Sequence, residues 1–222
     1  MEGQEFDSDS DFCFYRKAVD DIIKKLIMTL IIYAHPGTEG FNSRILARAK
    51  QLLDEKGEEY EVIDLYSIGY DPVLKKEEHY TAGNKRITEE NLEFQNKIKQ
   101  ASRLLFIYPI WWGGMPAILK GFLERVFTPG FAFKYRKNKL IKSIPDKLLT
   151  DKRAVCLITS GGPKIFYALL LNPVKIINRF IIFGFFGARS KTIQIYDARK
   201  VTRQREDEIN KKVRTGVAWL LK

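Results

Sequence analysis

From residue 29 onward the chain shows two recurring rhythms: short, wholly apolar runs, and longer runs with an apolar residue at every third or fourth position. The run T-L-I-I-Y-A at 29–34 predicts a buried strand. A glycine-containing loop follows, and Asn42 is placed to open a helix with Ile45, Leu46, Ala49, Leu52 and Leu53 on one face, stopped by Gly57. Residues 60–65 predict a second strand, 89–101 a helix, and 104–108 a third strand that is apolar throughout and so needs cover on both faces. A helix over 116–127, an aromatic and basic excursion over 128–152 and a fourth strand over 154–159 come next. Residues 169–183 read as mostly helical, 191–196 as a fifth strand and 202–221 as the closing helix. Strands alternating with helices imply an α/β fold, a parallel sheet clad by helices on both faces.

Residues 1–27 stand outside this order. They carry a net charge of −3, whereas the remaining 195 residues carry +14, so 1–27 reads as an acidic, poorly ordered appendage and 28–222 as the domain proper. A chain of 222 residues has room for one well-cored domain. Its 45% hydrophobic and 29% charged residues are a globular balance. The two cysteines, Cys13 and Cys156, sit far apart and suggest neither a disulfide framework nor a metal cluster, which fits a reducing, cytoplasmic setting. The most apolar stretch, 165–187, is broken by Asn172, Pro173, Lys175, Asn178 and Arg179 and does not read as a membrane span; its part at 179–187 reads as the end of a core helix meeting the fifth strand, with dimer burial to account for some of its apolar excess. No leader pattern opens the sequence. The overall charge of +11 is spread without a nucleic-acid-binding module, and small anionic ligands explain it as well.

In a sheet of this kind ligands lie beyond the carboxyl ends of the strands, near the switch in strand order. The loops after strands one, three and four are also the loops with unusual sequences. The first, A-H-P-G-T-E-G-F-N-S at 34–43, leads into a helix N-terminus, where unpaired amides and the macrodipole favour a phosphate; His35, Thr38, Asn42 and Ser43 can add donors. The plainer reading makes Asn42 an N-cap and His35 a satisfied strand-end residue. The loop is neither G-x-G-x-x-G nor a Walker loop, which argues against a dinucleotide-first Rossmann protein and an NTPase. The second, Y-P-I-W-W-G-G-M-P at 108–116, sets two tryptophans beside glycines that let backbone amides approach a flat ring. Tryptophans also pack, and one of the pair is expected to do so. The third, T-S-G-G-P at 159–163, exposes amides that can hold an electron-rich ring edge, or simply turns.

Taken together these loops resemble the NAD(P)H:quinone oxidoreductase family, the flavodoxin-like group that includes mammalian quinone reductases, bacterial modulator-of-drug-activity proteins and potassium-efflux ancillary oxidoreductases. The most specific match is P-I-W-W-G-G-M-P-A-I-L-K-G-F-L-E-R-V-F at 109–127, supported by Y-A-H-P before the first loop and T-S-G-G after the fourth strand. The resemblance runs from residue 29 to the C-terminus. It implies a flavodoxin-like doubly wound five-stranded parallel sheet of order 2-1-3-4-5. It further implies a flavin whose phosphate end lies against His35, Thr38, Phe41, Asn42 and Ser43. Pro109, Ile110, Trp111, Trp112 and Gly113, with Thr159, Ser160, Gly161 and Gly162, would hold the isoalloxazine. Tyr167 falls where the family has a tyrosine facing nicotinamide or quinone, whereas Pro173 replaces a histidine that mammalian members use to handle charge. The segment G-F-A-F-K-Y at 130–135 matches an aromatic lid contributed across a dimer interface, with Phe133 in place of a tyrosine and Tyr135 keeping a hydroxyl. Phe131, Phe133 and Tyr135 could equally tuck into their own core.

The activity so implied is two-electron, ping-pong reduction of quinones or similar acceptors with NAD(P)H as co-substrate, by a homodimer holding a flavin, FMN or FAD, and needing no metal; the compact chain favours FMN slightly. The alternative is a redox-sensing flavoprotein subunit docking on a cation-efflux system, with peripheral membrane association through the basic stretches 134–142 and 199–205. Solvated basic loops are the commoner explanation for such runs.

Overall fold

The computed structural model describes residues 28–79, 86–135, 145–199 and 202–222; the acidic extension 1–27 lies outside them. In chain order the elements are β1 (Thr29–Tyr33), α1 (Phe41–Asp54), β2 (Tyr60–Asp64), a 3-10 turn (Lys76–Glu78), α2 (Glu89–Gln100), β3 (Arg103–Pro109) and α3 (Ala117–Val126). There follow β4 (Phe133–Lys134), β5 (Asp146–Lys147), β6 (Arg153–Thr159), α4 (Lys164–Leu169), α5 (Pro173–Ile176), a π-helical stretch (Ile177–Phe183), α6 (Gly184–Phe186), β7 (Arg189–Ile195) and α7 (Arg203–Leu220).

The main sheet has five parallel strands in the order β2-β1-β3-β6-β7. With the two-stranded β4–β5 hairpin set aside, this is the expected order 2-1-3-4-5. All five residues of β1 are buried, as the central strand of a doubly covered parallel sheet demands. Successive side chains point to opposite faces, so Leu30 and Ile32 enter one core with Phe106, Phe122 and Phe183, while Ile31 and Tyr33 enter the other with Ile45, Leu53 and Val213. Helices α1 and α7 cover the second face; α2, α3 and the 174–188 segment cover the first.

Two buried interactions fix the ligand-side scaffold. Arg125 on α3 forms a paired contact with Glu78, Nε at 2.9 Å and Nη2 at 2.8 Å, with side chains only 4% and 6% exposed; it also donates to the Asp71 carbonyl. Gly121 lies against Pro72 so closely that a Cβ there would be 2.1 Å from the Pro72 carbonyl oxygen. Together they clamp the 70–78 segment onto α3.

The largest departure from the sequence reading is the segment after β6. The structure begins a helix at Lys164, passes through Leu171 and Asn172 with φ of 53° and 47°, and continues helically from Pro173 to Phe186 with a π-helical middle. Val174, Asn178, Phe183 and Phe186 are buried, so this is partly the core helix expected. Ile165, Phe166, Leu169, Leu170, Leu171, Phe180 and Ile181 are exposed. An α-helical period cannot turn every apolar residue of so continuous a run inward. Among the described residues no helix is long and apolar enough to cross a membrane.

Candidate functional site at the carboxyl ends of β1, β3 and β6

Helix α1 starts at Phe41, with Gly40 in the N-cap position at φ 109° and no side-chain cap. That backbone geometry suits glycine and few other residues. Asn42 is therefore not the opening residue or cap that periodicity suggested. Its side chain instead donates from Nδ2 to Thr159 Oγ1 at 3.0 Å, tying the first loop to the third. Ser43 Oγ donates to the Gly40 carbonyl at 3.0 Å. With no acidic residue in its first turn, α1 offers its amide end and macrodipole to an anion.

Beside this helix end, His35 Nδ1 lies 3.0 Å from the Gly37 amide nitrogen and 3.1 Å from the Gly37 carbonyl oxygen, so the loop backbone holds the ring in place. A Cβ at Gly37 would sit 2.9 Å from His35 Cε1, so the H-P-G sequence is needed for that ring position. The imidazole faces Trp111 at 6.1 Å between ring centres. Trp111 and Gly114 exchange both backbone hydrogen bonds, at 2.9 and 3.0 Å, closing a two-residue turn over Trp112 (φ 50°) and Gly113 (φ 78°). Positive φ at both central residues is the type I′ requirement. The turn throws the Trp112 side chain wholly into solvent, with relative exposure of 106%.

The third loop is braced by the chain after β7. Ile110 N–H donates to the Thr159 carbonyl at 2.7 Å, Ser160 N–H to Ile195 at 2.9 Å, and Ala198 N–H to the Ser160 carbonyl at 2.9 Å. Between these loops opens a cavity of about 450 Å³, a common size for a cofactor site, lined by His35, Glu39, Gly40, Phe41, Asn42, Pro109, Ile110, Trp111, Thr159, Ser160, Gly161, Ala198 and Arg199. Thr38 and Ser43 line an adjoining cleft that shares Glu39 and Gly40 with it. Arg205 lies over the Phe41 ring at 5.6 Å and holds that wall against α7.

The remaining sequence-predicted residues do not line this cavity. Tyr167, half-buried on α4, packs on the glycine edge: a Cβ at Gly162 would be 3.4 Å from its ring. Its ring also meets Tyr196 at 5.7 Å. Phe133 and Tyr135 contact each other edge to face at 5.5 Å, and Phe133 packs on Phe185 and lines a separate apolar cavity with Leu123 and Phe127. The basic stretch 134–142 falls largely outside the described residues.

Sequence reasoning missed Glu39, Gly40, Ala198 and Arg199 on the cavity wall, and Asn172, Gln194 and Tyr196 behind it. The signal for Ala198 and Arg199 was available, since they follow the fifth parallel strand at the same sheet edge. No spacing rule points to Gln194, whose partners are 22 and 34 residues away.

Comparison with known proteins agrees with this geometry. A family model described as flavodoxin-like fold matches residues 28–219. An uncharacterised NAD(P)H oxidoreductase of Haemophilus influenzae is 38% identical over 134 residues, 60% of this chain and 64% of that protein. NAD(P)H dehydrogenase [quinone] 1 of Cavia porcellus is 35% identical over 158 residues, 63% of this chain and 55% of that protein. The matched part thus spans less than two thirds of either curated relative. Among solved structures, the NAD(P)H:quinone oxidoreductase of Methanothermobacter marburgensis superposes with a TM-score of 0.73 at 25% identity, over 88% of this chain and 98% of that one.

Proposed function

We propose, for a chain that belongs to the flavodoxin-like fold family, that it is a flavin-dependent NAD(P)H oxidoreductase reducing quinones or similar acceptors by two electrons. The observation that carries the reading is the convergence of an uncapped, acid-free helix N-terminus, the Asn42–Thr159 tie and the Ser160–Gly161 edge on one cavity. The named activities of the relatives support it.

The residues present fit a flavin. The cavity between Pro109–Trp111 and Thr159–Gly161, with the uncapped α1 amides beside it, suits a flat ring and its phosphate. In this reading Thr38, Phe41, Asn42 and Ser43 hold the phosphate end, and backbone from Pro109 to Gly113 and from Thr159 to Gly162 holds the ring. The flavin when bound supplies the hydride chemistry; the protein supplies orientation and preorganised dipoles. Backbone amides of the third loop would stabilise negative charge on the ring when it is reduced. With flavin bound, Tyr167 would stand beside nicotinamide or acceptor in a ping-pong cycle, and Phe133 and Tyr135 would close over a partner's site in a homodimer. FMN is our preferred cofactor, since the described cavity and cleft account for a ring and one phosphate.

The test is a titration of purified protein with FMN and FAD, followed by anaerobic NADH or NADPH and then menadione. Flavin bands that bleach and return are the expected outcome. A protein that takes up neither flavin overturns the proposal.

A further inference from the structure

Behind the third loop runs a chain of side-chain amides that the activity above does not use. Leu171 and Asn172 are both left-handed, at φ 53° and 47°, a conformation unfavourable for residues other than glycine. The strain is not relieved by burying Leu171, whose side chain is 79% exposed. What it achieves is the placement of Asn172. Its backbone N–H donates to the Tyr167 carbonyl at 2.7 Å, and its side chain reaches Gln194 at 2.8 Å, Tyr196 at 3.1 Å and the Lys175 amide at 3.3 Å. Gln194, 3% exposed, in turn reaches Ser160 Oγ at 3.0 Å.

The direction of every bond follows from one group that can only donate. Lys175 N–H caps onto the Asn172 side chain, so the atom it meets is Oδ1. Nδ2 then faces Gln194 and Tyr196 and donates to both. Gln194 must accept through Oε1, which turns Nε2 toward Ser160, and the Ser160 hydroxyl accepts. Ser160 and Tyr196 have thus each received an amide hydrogen and retain their own O–H to give. Ser160 is 2% exposed and lines the cavity; Tyr196 lies against Tyr167.

We infer that Asn172 and Gln194 are positioning residues: a one-directional amide relay that fixes the Ser160 hydroxyl as a hydrogen-bond donor into the cavity and the Tyr196 hydroxyl as a donor beside Tyr167. A site built this way prefers ligand atoms that gain negative charge, and so favours the reduced over the oxidised form of an electron-accepting ring. The redox part of the inference rests on the flavin reading; the relay itself does not.

Two measurements test it. In the flavin-free protein, the side-chain amide resonances of Asn172 and Gln194 should exchange slowly with solvent, and Ser160→Ala should shift the Gln194 pair. Exchange as fast as that of exposed asparagines and glutamines overturns the relay, whether or not a flavin binds. In the FMN-loaded protein, Gln194→Glu keeps the shape but can only accept while ionised, so the Ser160 O–H turns back to donate to it. Gln194→Glu and Ser160→Ala should therefore each weaken the preference for reduced flavin by about tenfold, about 30 mV for a two-electron couple, and the double variant should fall no further. Asn172→Asp carries the same prediction should Gln194→Glu not fold. A wild-type potential in the position-194 variant, or additive shifts in the double, overturns the donor assignment. A wild-type chain that takes up no flavin while its amides are protected sinks the proposed function and leaves the relay standing.

Discussion

At the scale of single residues, the same side chain type did different work from what its position in sequence suggested. Asn42 looks like a helix cap because such residues precede apolar periodicity, yet its cap role is taken by Gly40 and its amide crosses 117 positions to Thr159. Replacing it by aspartate separates the two roles. Asn42→Asp retains an acceptor for the Thr159 hydroxyl and puts a negative charge in the first turn of α1, so urea unfolding should change by less than about 1 kcal/mol. The same charge opposes a phosphate, so flavin affinity should fall at least about tenfold in a fluorescence titration. Cys156 is the opposite case, a residue whose setting was legible from sequence: it lies in the apolar strand expected, and burial pushes its pKa to about 12. Cys156 should stay unmodified by a thiol reagent at pH 8 in the folded protein and react on unfolding, as read by peptide mass spectrometry. The motif residues could be found because short loops between strands and helices are local. The Asn172–Gln194–Ser160 bonds could not, because they join segments that only the folded sheet brings together.

At the scale of elements, alternation of strands and helices was readable since a parallel strand covered on both faces has no polar alternation to hide it. The pieces that escaped were those whose form is set by neighbours: a two-residue hairpin of β4 with β5, and the helical segment 164–186, broken by left-handed residues and a π-helical stretch. Close packing of α3 on the 70–78 segment gives two tests. Gly121→Ala would place a methyl 2.1 Å from the Pro72 carbonyl oxygen, backbone against backbone, and should cost about 3 kcal/mol or more in urea unfolding. Arg125→Met would strand the buried Glu78 carboxylate, at about 3–5 kcal/mol near neutral pH. The pH dependence follows from Glu78. Burial raises its pKa, but the hydrogen bonds from Arg125 and from the Lys75 amide outweigh burial and hold it below the ordinary carboxylate value. Its contribution is therefore complete above the pKa of the unfolded chain and lost as pH falls through the lower, folded value. Denaturation curves of wild type and Arg125→Met should converge as the solution is acidified through that window, and Glu78→Gln should flatten the wild-type slope there.

At the scale of the molecule, the 164–181 segment carries exposed apolar residues, among them Ile165, Phe166, Leu169, Leu171, Phe180 and Ile181, of the kind that mark protein–protein contacts when they adjoin. Tyr167 stands on the same helix as Ile165, Phe166 and Leu169, so a second copy on this face would also enclose the substrate side of the site. Sedimentation should give a dimer. Residues 152–196 contain seven Lys and Arg and no Asp or Glu, so lysine is the disruptive substitution here; glutamate would find partners. Leu169→Lys with Phe180→Lys should shift the population toward monomer and expose Tyr167, whereas a wild-type monomer would refute the homodimer. The turn over Trp112 gives the protein an optical consequence. An indole held by a left-handed backbone and standing fully in water should emit at the red end of the tryptophan range and be quenched freely by iodide, unlike Trp219, which lies against Arg153. Anything that settles over that turn, whether a ring laid in the cavity or another copy of the chain, should move the emission to the blue and shield it from the quencher. The protein thereby carries its own dye, one turn beyond the tryptophan that lines the cavity.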